Sequence, residues 1–177
     1  MNREDMIHLP DTTGPVRVLG PVDVDKLIES LQPFVDRALG LEKQQGLRVA
    51  GDYQGLTDLR HKSNARRVGQ ADFNDWVSGT EYLQQVAKSF NIPDTGRVRM
   101  LMMFPKSTYS FHHDPDAWRV HIPLMTNQDS FMLVHGKLWH MAVGNAYLMQ
   151  VQHHHLALNA GDTNRIHIVF DNCRTLA

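Results

Sequence analysis

Hydrophobic and polar positions along the chain follow two different periods, and the change falls near Arg97. Ahead of it, Leu27, Ile28, Leu31, Phe34, Val35 and Leu39 recur at helical spacing behind Asp23 or Asp25 as N-cap, with Gly40 as the stop. Pro33 would remove one bond from a continuous helix, so this stretch predicts a kinked helix or two short ones. Ser78-Gly79-Thr80-Glu81 has the form of a capping box and predicts a second helical segment. That helix would bury Tyr82, Leu83, Val86, Ala87 and Phe90 and end in Asn91-Ile92-Pro93-Asp94-Thr95-Gly96. Residues 1–22 carry Pro10, Gly14, Pro15, Gly20 and Pro21, which allow short extended pieces such as Val16 to Leu19 but no helix. Residues 44–77 are polar, punctuated by glycine and weakly periodic, and predict a loop region.

After Arg97 the pattern becomes short runs rich in β-formers: Val98 to Phe104, Thr108 to His113, Trp118 to Leu124, Ser130 to Val134, Trp139 to Val143, Tyr147 to Val151, His153 to Leu158 and Arg165 to Phe170. Turn residues separate most of them, as at His135-Gly136, Gly144-Asn145 and Gly161-Asp162. Eight such strands predict a mainly β, α+β protein: a double-stranded β-helix, or jelly roll of cupin-like type, with the helices packed on its outer face and the barrel mouth open to ligand. The expected organisation is one domain over 1–177, with a helical and loop region at 1–96 and the core strands at 97–171.

Composition narrows this picture little. A chain of 177 residues is long enough to bury a substantial core as one domain. The formal net charge of −1, with both signs mixed, offers no general attraction for nucleic acid or an anionic membrane. The basic run His61-Lys62-Ser63-Asn64-Ala65-Arg66-Arg67 reads as a solvated surface, or as a loop over the pocket that meets an acidic substrate. A nucleic-acid module built on Arg60 to Arg67 lacks the interleaved aromatics that stacking requires. Cys173 is the only cysteine, so no intrachain disulfide can form. No apolar run approaches about 20 residues, and the first residues lack a basic segment followed by an apolar one. The expectation is a soluble, cytoplasmic protein acting on a small molecule or peptide, with no nucleic-acid or membrane partner and an oligomeric state left open.

Candidate chemistry concentrates in the second half, where nine of the eleven histidines lie at or beyond His112. On a strand His112 and Asp114 would share a face, with Cα atoms about 6.5 Å apart, while His113 would point away. A histidine and a carboxylate placed this way supply two corners of the two-His-one-carboxylate triad that leaves open positions on Fe(II). An unpartnered carboxylate inside a sheet needs a cation or several donors; the other reading of Asp114 is a turn residue ahead of Pro115. The third corner falls among His153, His154 and His155. Arg165 and His167 alternate with Ile166 and Ile168, so two polar groups share one face of the last strand, and a buried arginine there requires an anion. That anion is either a bound carboxylate or an internal partner, Asp162 or Asp171.

These residues form an ordered set: His112-x-Asp114, Arg119-Val120-His121-Ile122-Pro123-Leu124, Gly136-Lys137-Leu138-Trp139, and His155 followed by Asn159, Gly161-Asp162 and Arg165-Ile166-His167. From about Phe104 to Asp171 the chain resembles the aspartyl/asparaginyl β-hydroxylase family of Fe(II)- and 2-oxoglutarate-dependent oxygenases. The resemblance implies that His112, Asp114 and His155 hold iron, because the distal metal histidine of the family precedes the cofactor-binding arginine by ten residues. It further implies that Arg165 binds the distal carboxylate of 2-oxoglutarate, with His167 on the same face, and that Arg119 and His121 lie beside the metal near the cofactor's other carboxylate. Some relatives lack the carboxylate at the position of Asp114, whereas this sequence keeps it. Lys106 stands where many relatives carry glycine. The implied reaction is a dioxygenase hydroxylation of an unactivated carbon, possible in an amino acid or amino-acid side chain, consuming O2 and releasing succinate and CO2. A cupin-like metal-binding protein or isomerase is the alternative, although no glutamate follows Glu81 to complete the usual cupin ligand set.

Overall fold

The alternating runs resolve into two facing sheets. The computed structural model describes residues 6–44, 54–60, 76–114 and 118–177. Its strands are β1 (Ile7–His8), β2 (Val16–Pro21), β3 (Gln54–Arg60), β4 (Val98–Met103), β5 (Ser107–Thr108), β6 (Trp118–Met125), β7 (Ser130–Val134), β8 (Lys137–Trp139), β9 (Asn145–Gln150), β10 (His155–Asn159) and β11 (Arg165–Phe170). The helices are α1 (Val24–Ser30), α2 (Gln32–Gln44) and α3 (Glu81–Ser89). One sheet has the order β2-β9-β6-β11-β4-β3, the other β1-β8-β7-β10-β5. All pairings are antiparallel except β1 with β8. This is the jelly roll expected of the strand pattern.

The six-stranded sheet is covered on both faces, and side-chain alternation assigns each strand two jobs. Met100 and Met102 of β4, Val120 and Ile122 of β6, Leu148 of β9 and Ile166, Ile168 and Phe170 of β11 pack with Leu27, Leu31, Phe34 and Val35 of the first helices and with Leu83 and Val86 of α3. Each fully buried aliphatic side chain here contributes about 1.5–3 kcal/mol. The residues between them face the second sheet, where Met103, Met149, Met132, Val134, Trp139 and Ala157 form a separate cluster. The helices therefore sit outside the barrel, and the space between the sheets is left for a site. No helix among the described residues is long and apolar enough to cross a membrane.

Some local expectations hold and others are corrected. The first helical stretch divides at Leu31 into α1 and α2, so Pro33 falls in a first turn, where its missing N–H removes no bond. Asp23 caps α1 by accepting from the Lys26 amide at 3.1 Å. Gly40 stops nothing, since α2 continues to Gln44. The capping box shifts: Thr80 is the N-cap of α3, and its hydroxyl donates to the Val77 carbonyl instead of accepting from an N-terminal amide. Thr108 to His113 is not one strand, because β5 ends at Thr108 and only an isolated bridge pairs His112 with His155. The hairpin turn at His135-Gly136 forms with both residues at positive φ (52° and 70°), as a two-residue connection between twisted strands requires. β8 is therefore Lys137–Trp139, and the expected run to Val143 lies beyond it.

Within the region expected to be a loop, residues 54–60 form an edge strand on β4. Arg60 is 1% exposed, which removes it from any nucleic-acid surface. Its guanidinium donates to the carbonyls of Gly96 (2.9 Å), Thr95 (2.8 Å) and Pro93 (3.2 Å) and lies over Trp76. The run His61 to Arg67 lies outside the described residues.

Asn159 ties the two sheets together. Fully buried, it donates to the carbonyls of Phe104 and Thr163 (both 2.9 Å) and accepts from Asn127 Nδ2 (2.9 Å) and Ser130 Oγ (3.0 Å). Asn159→Ala orphans several buried groups at once and is expected to cost about 3 kcal/mol. Thermal denaturation should show a melting temperature roughly 6–12 °C lower.

Candidate metal centre

His155 opens β10, and its backbone exchanges two hydrogen bonds with His112 (3.0 and 2.8 Å), which fixes the segment after β5 against the second sheet. The Asp114 amide then donates to the Val151 carbonyl at 3.1 Å. These anchors bring His112, Asp114 and His155 to one point, with ligand atoms all within 4.8 Å of one another. His112 Nε2 lies 3.5 Å and His155 Nε2 3.4 Å from the same oxygen, Asp114 Oδ2. Bonds of about 2.1 Å to one ion would place neighbouring ligand atoms about 3.0 Å apart at right angles and about 3.4 Å apart in a tetrahedron, so the spacing fits a single metal ion.

The tautomers fit as well. His112 Nδ1 faces the Ser110 carbonyl at 2.5 Å and His155 Nδ1 the His153 carbonyl at 2.9 Å. A carbonyl only accepts, so each ring carries its proton on Nδ1 and presents the Nε2 lone pair to the centre. Burial pushes the Asp114 carboxyl pKa up, while the surrounding His155, Arg119 and His112 pull it down, and the group is held at about 2. The carboxylate is thus ionised and available as a ligand. His113 and His154 pack on each other outside this point (ring centroids 5.1 Å), and exposed Phe111 stacks on His154. His153 is exposed beside His135, so the alternative ligand among the three adjacent histidines is not brought to the centre.

A cavity of about 100 Å³ between the sheets is lined by the triad together with Arg119, His121 and Arg165. Arg165 is 4% exposed, and its guanidinium donates to Met103 Sδ (3.1 Å), Met132 Sδ (3.2 Å) and His167 Nδ1 (3.1 Å). Two thioethers and an imidazole are weak, neutral acceptors. Burial lowers the arginine's pKa to about 10. No carboxylate pairs with it among the described residues: Asp162 is bound by Lys106 at 2.9 Å, and Asp171 by Arg99 at 2.6 Å and Arg119 at 2.9 Å. The internal salt bridge that sequence left open is therefore not formed. Because Arg165 donates to His167 Nδ1, the His167 proton sits on Nε2, which has no partner among the described residues. Both nitrogens of buried His121 also lack one. Burial, then the Arg165 charge, holds both imidazoles neutral with pKa values well below the usual range. Arg119 is engaged on both sides, by Asp114 Oδ2 at 2.7 Å and by Asp171.

The profile of the aspartyl/asparaginyl β-hydroxylase family matches residues 63–175. The chain belongs to that family. Among curated proteins, none matches it in sequence. Its fold is similar to that of an oxidoreductase of the 2OG-Fe(II) oxygenase family from Burkholderia pseudomallei, at 13% identity, TM-score 0.52, and coverage of 94% of this chain and 93% of that one. A viral collagen prolyl hydroxylase from Paramecium Bursaria Chlorella virus-1 is similar at 10% identity and TM-score 0.52, covering 86% and 93%. A Pseudomonas putida prolyl-4-hydroxylase is similar at 10% identity and TM-score 0.50, covering 88% and 90%. Family and fold together support an oxygenase. Sequence reading of this β-hydroxylase family member did not single out Arg99, Met103 or Met132. The signal for Arg99 was a charge alternating with buried methionines along β4.

A cation in a dry pocket without a counter-charge opposes folding. In ligand-free protein Arg165→Met is therefore expected to melt no lower than wild type in a thermal scan, whereas loss of an internal salt bridge would lower the transition by several degrees.

Proposed function

We propose that this chain is an Fe(II)- and 2-oxoglutarate-dependent dioxygenase that hydroxylates an unactivated carbon of an amino acid or an amino-acid side chain. The observation that carries the reading is the meeting, in one buried cavity, of a His-Asp-His ligand set with an arginine that has no carboxylate partner among the described residues. His112, Asp114 and His155 would hold the metal, whose remaining positions stay free because no further histidine, cysteine or acidic side chain joins this group among the described residues. Arg165 would take the distal carboxylate of 2-oxoglutarate in its planar fork. His167 Nε2–H and His121 would offer neutral polar atoms to the same ligand without adding charge. Once bound, Fe(II) and 2-oxoglutarate supply O2 activation, with succinate and CO2 as the products of the cosubstrate. Met103, Met132 and Ala157 on the cavity wall would exclude water and protect the oxidant from side reactions.

Calorimetric titration with Fe(II) under nitrogen should show binding weakened at least tenfold in His112→Ala, Asp114→Ala and His155→Ala and unchanged in His113→Ala and His154→Ala. Equal losses in all five would contradict the ligand set. Purified protein with Fe(II), ascorbate and oxygen is expected to convert 2-oxoglutarate to succinate above background. Arg165→Lys should bind 2-oxoglutarate more weakly, and Arg165→Ala roughly 30- to several-thousand-fold more weakly, with iron affinity nearly intact. Bound zinc or nickel with no succinate formed would favour the cupin-like alternative.

A further inference from the structure

Asp171 immediately follows β11 and belongs to none of the roles above. It continues the alternation of Arg165, His167 and Val169, so its carboxylate emerges on the cavity side of the sheet. β11 runs between β4 and β6, and each neighbour aims a guanidinium at this carboxylate. Arg99 Nη2 donates to Asp171 Oδ1 at 2.6 Å, and Arg119 Nε forms an ion-pair contact with the same oxygen at 2.9 Å. On the other edge of the guanidinium, Arg119 Nη1 lies in ion-pair contact with Asp114 Oδ2 at 2.7 Å. That oxygen is also the one nearest both His112 Nε2 and His155 Nε2. All three groups are largely buried, with side chains 12–14% exposed, so solvent screens the chain weakly.

Resting on the metal-centre reading, we propose that Asp171 is a positioning residue for the metal carboxylate and acts through Arg119. The rigid fork of Arg119 spans two carboxylates. The anchor at Asp171 sets where its second edge lies, and that edge sets the rotamer of Asp114. Asp171 also offsets the charges of Arg99 and Arg119. Without it two uncompensated guanidinium groups would face a site that must accept a dication, and Arg119 would be drawn wholly onto the oxygen the metal needs. Both effects weaken metal binding. Arg99 completes the arrangement by holding Asp171 from the opposite strand.

The test is Co(II) binding to the full chain, followed by titration calorimetry and by the visible d–d spectrum, with no turnover required. Asp171→Asn keeps the shape and removes the charge. It is expected to raise the Co(II) Kd about tenfold or more and to alter the d–d band. In an Arg119→Gln background the same substitution should change the Kd less than twofold, because the path is already cut. A tenfold loss in both backgrounds would mean that Asp171 acts independently of Arg119 and would overturn the proposal, as would an unchanged Kd in Asp171→Asn. Should Asp171→Asn fail to fold, Arg119→Lys provides the second measurement. It keeps the charge but cannot span both carboxylates, so about the same loss is expected, and an unchanged Kd overturns the proposal. Absence of Co(II) and Fe(II) binding to the wild type would remove the metal-centre reading itself, whereas wild-type binding with an equally tight Asp171→Asn removes only this inference.

Discussion

The six-stranded sheet must satisfy two interiors at once. Helices cover one face, so every second residue of β4, β6 and β11 is apolar and large, and β9 adds Ala146 and Leu148. The opposite face looks onto the smaller sheet, and there the same strands are free to carry Arg99, Arg119, His121, Arg165 and His167. Burial on both sides is why β11 has no exposed residue while every second one of its first three is polar. The fold can place charges in a dry cavity only because the other face provides the hydrophobic stabilisation that offsets their desolvation.

Three arginines enter this cavity, and the structure treats them differently. Arg99 and Arg119 share Asp171, and Arg119 reaches Asp114 as well. Among the described residues Arg165 has only neutral acceptors. The difference lies in partners, since all three are largely buried: Arg99 and Arg119 are paired with carboxylates, and Arg165 is paired with none among the described residues. His121 and His167 fit the same division: kept neutral by burial and by the Arg165 charge, they add polarity without competing for an anion.

The candidate metal ligands come from a less regular source. His155 is the first residue of β10, but His112 and Asp114 sit on a segment held by single backbone bonds after β5 has ended. Irregular backbone lets both side chains turn to one point while His113, between them, packs outward on His154. The regular strand inferred from the sequence would have placed Asp114 on the same side by alternation alone, so the expectation about facing survives although its stated cause does not.

How much was legible follows from the range of the interactions involved. Period-two alternation and turn residues are local properties, and they announced the jelly-roll strands, the outward helices and Arg165 with His167 on one face. The His-x-Asp run and the later histidines were equally visible as residue types. Local signals failed where the partner was distant in sequence. β3 is polar and forms because β4 offers it an open edge. Arg60 looked like part of a basic surface but is buried by carbonyls at 93–96. The meeting of His155 rather than His153 with His112 and Asp114, the lack of a carboxylate partner for Arg165 among the described residues, and the ion pairs of Asp171 all depend on which side chains meet across strands distant in sequence. Sequence by itself determined which chemical groups are present and which face of a strand each occupies, because alternation is built into the backbone. Only the tertiary structure decided which of those groups are paired and which have no partner among the described residues, because pairing is a matter of distances between strands that the local pattern does not encode.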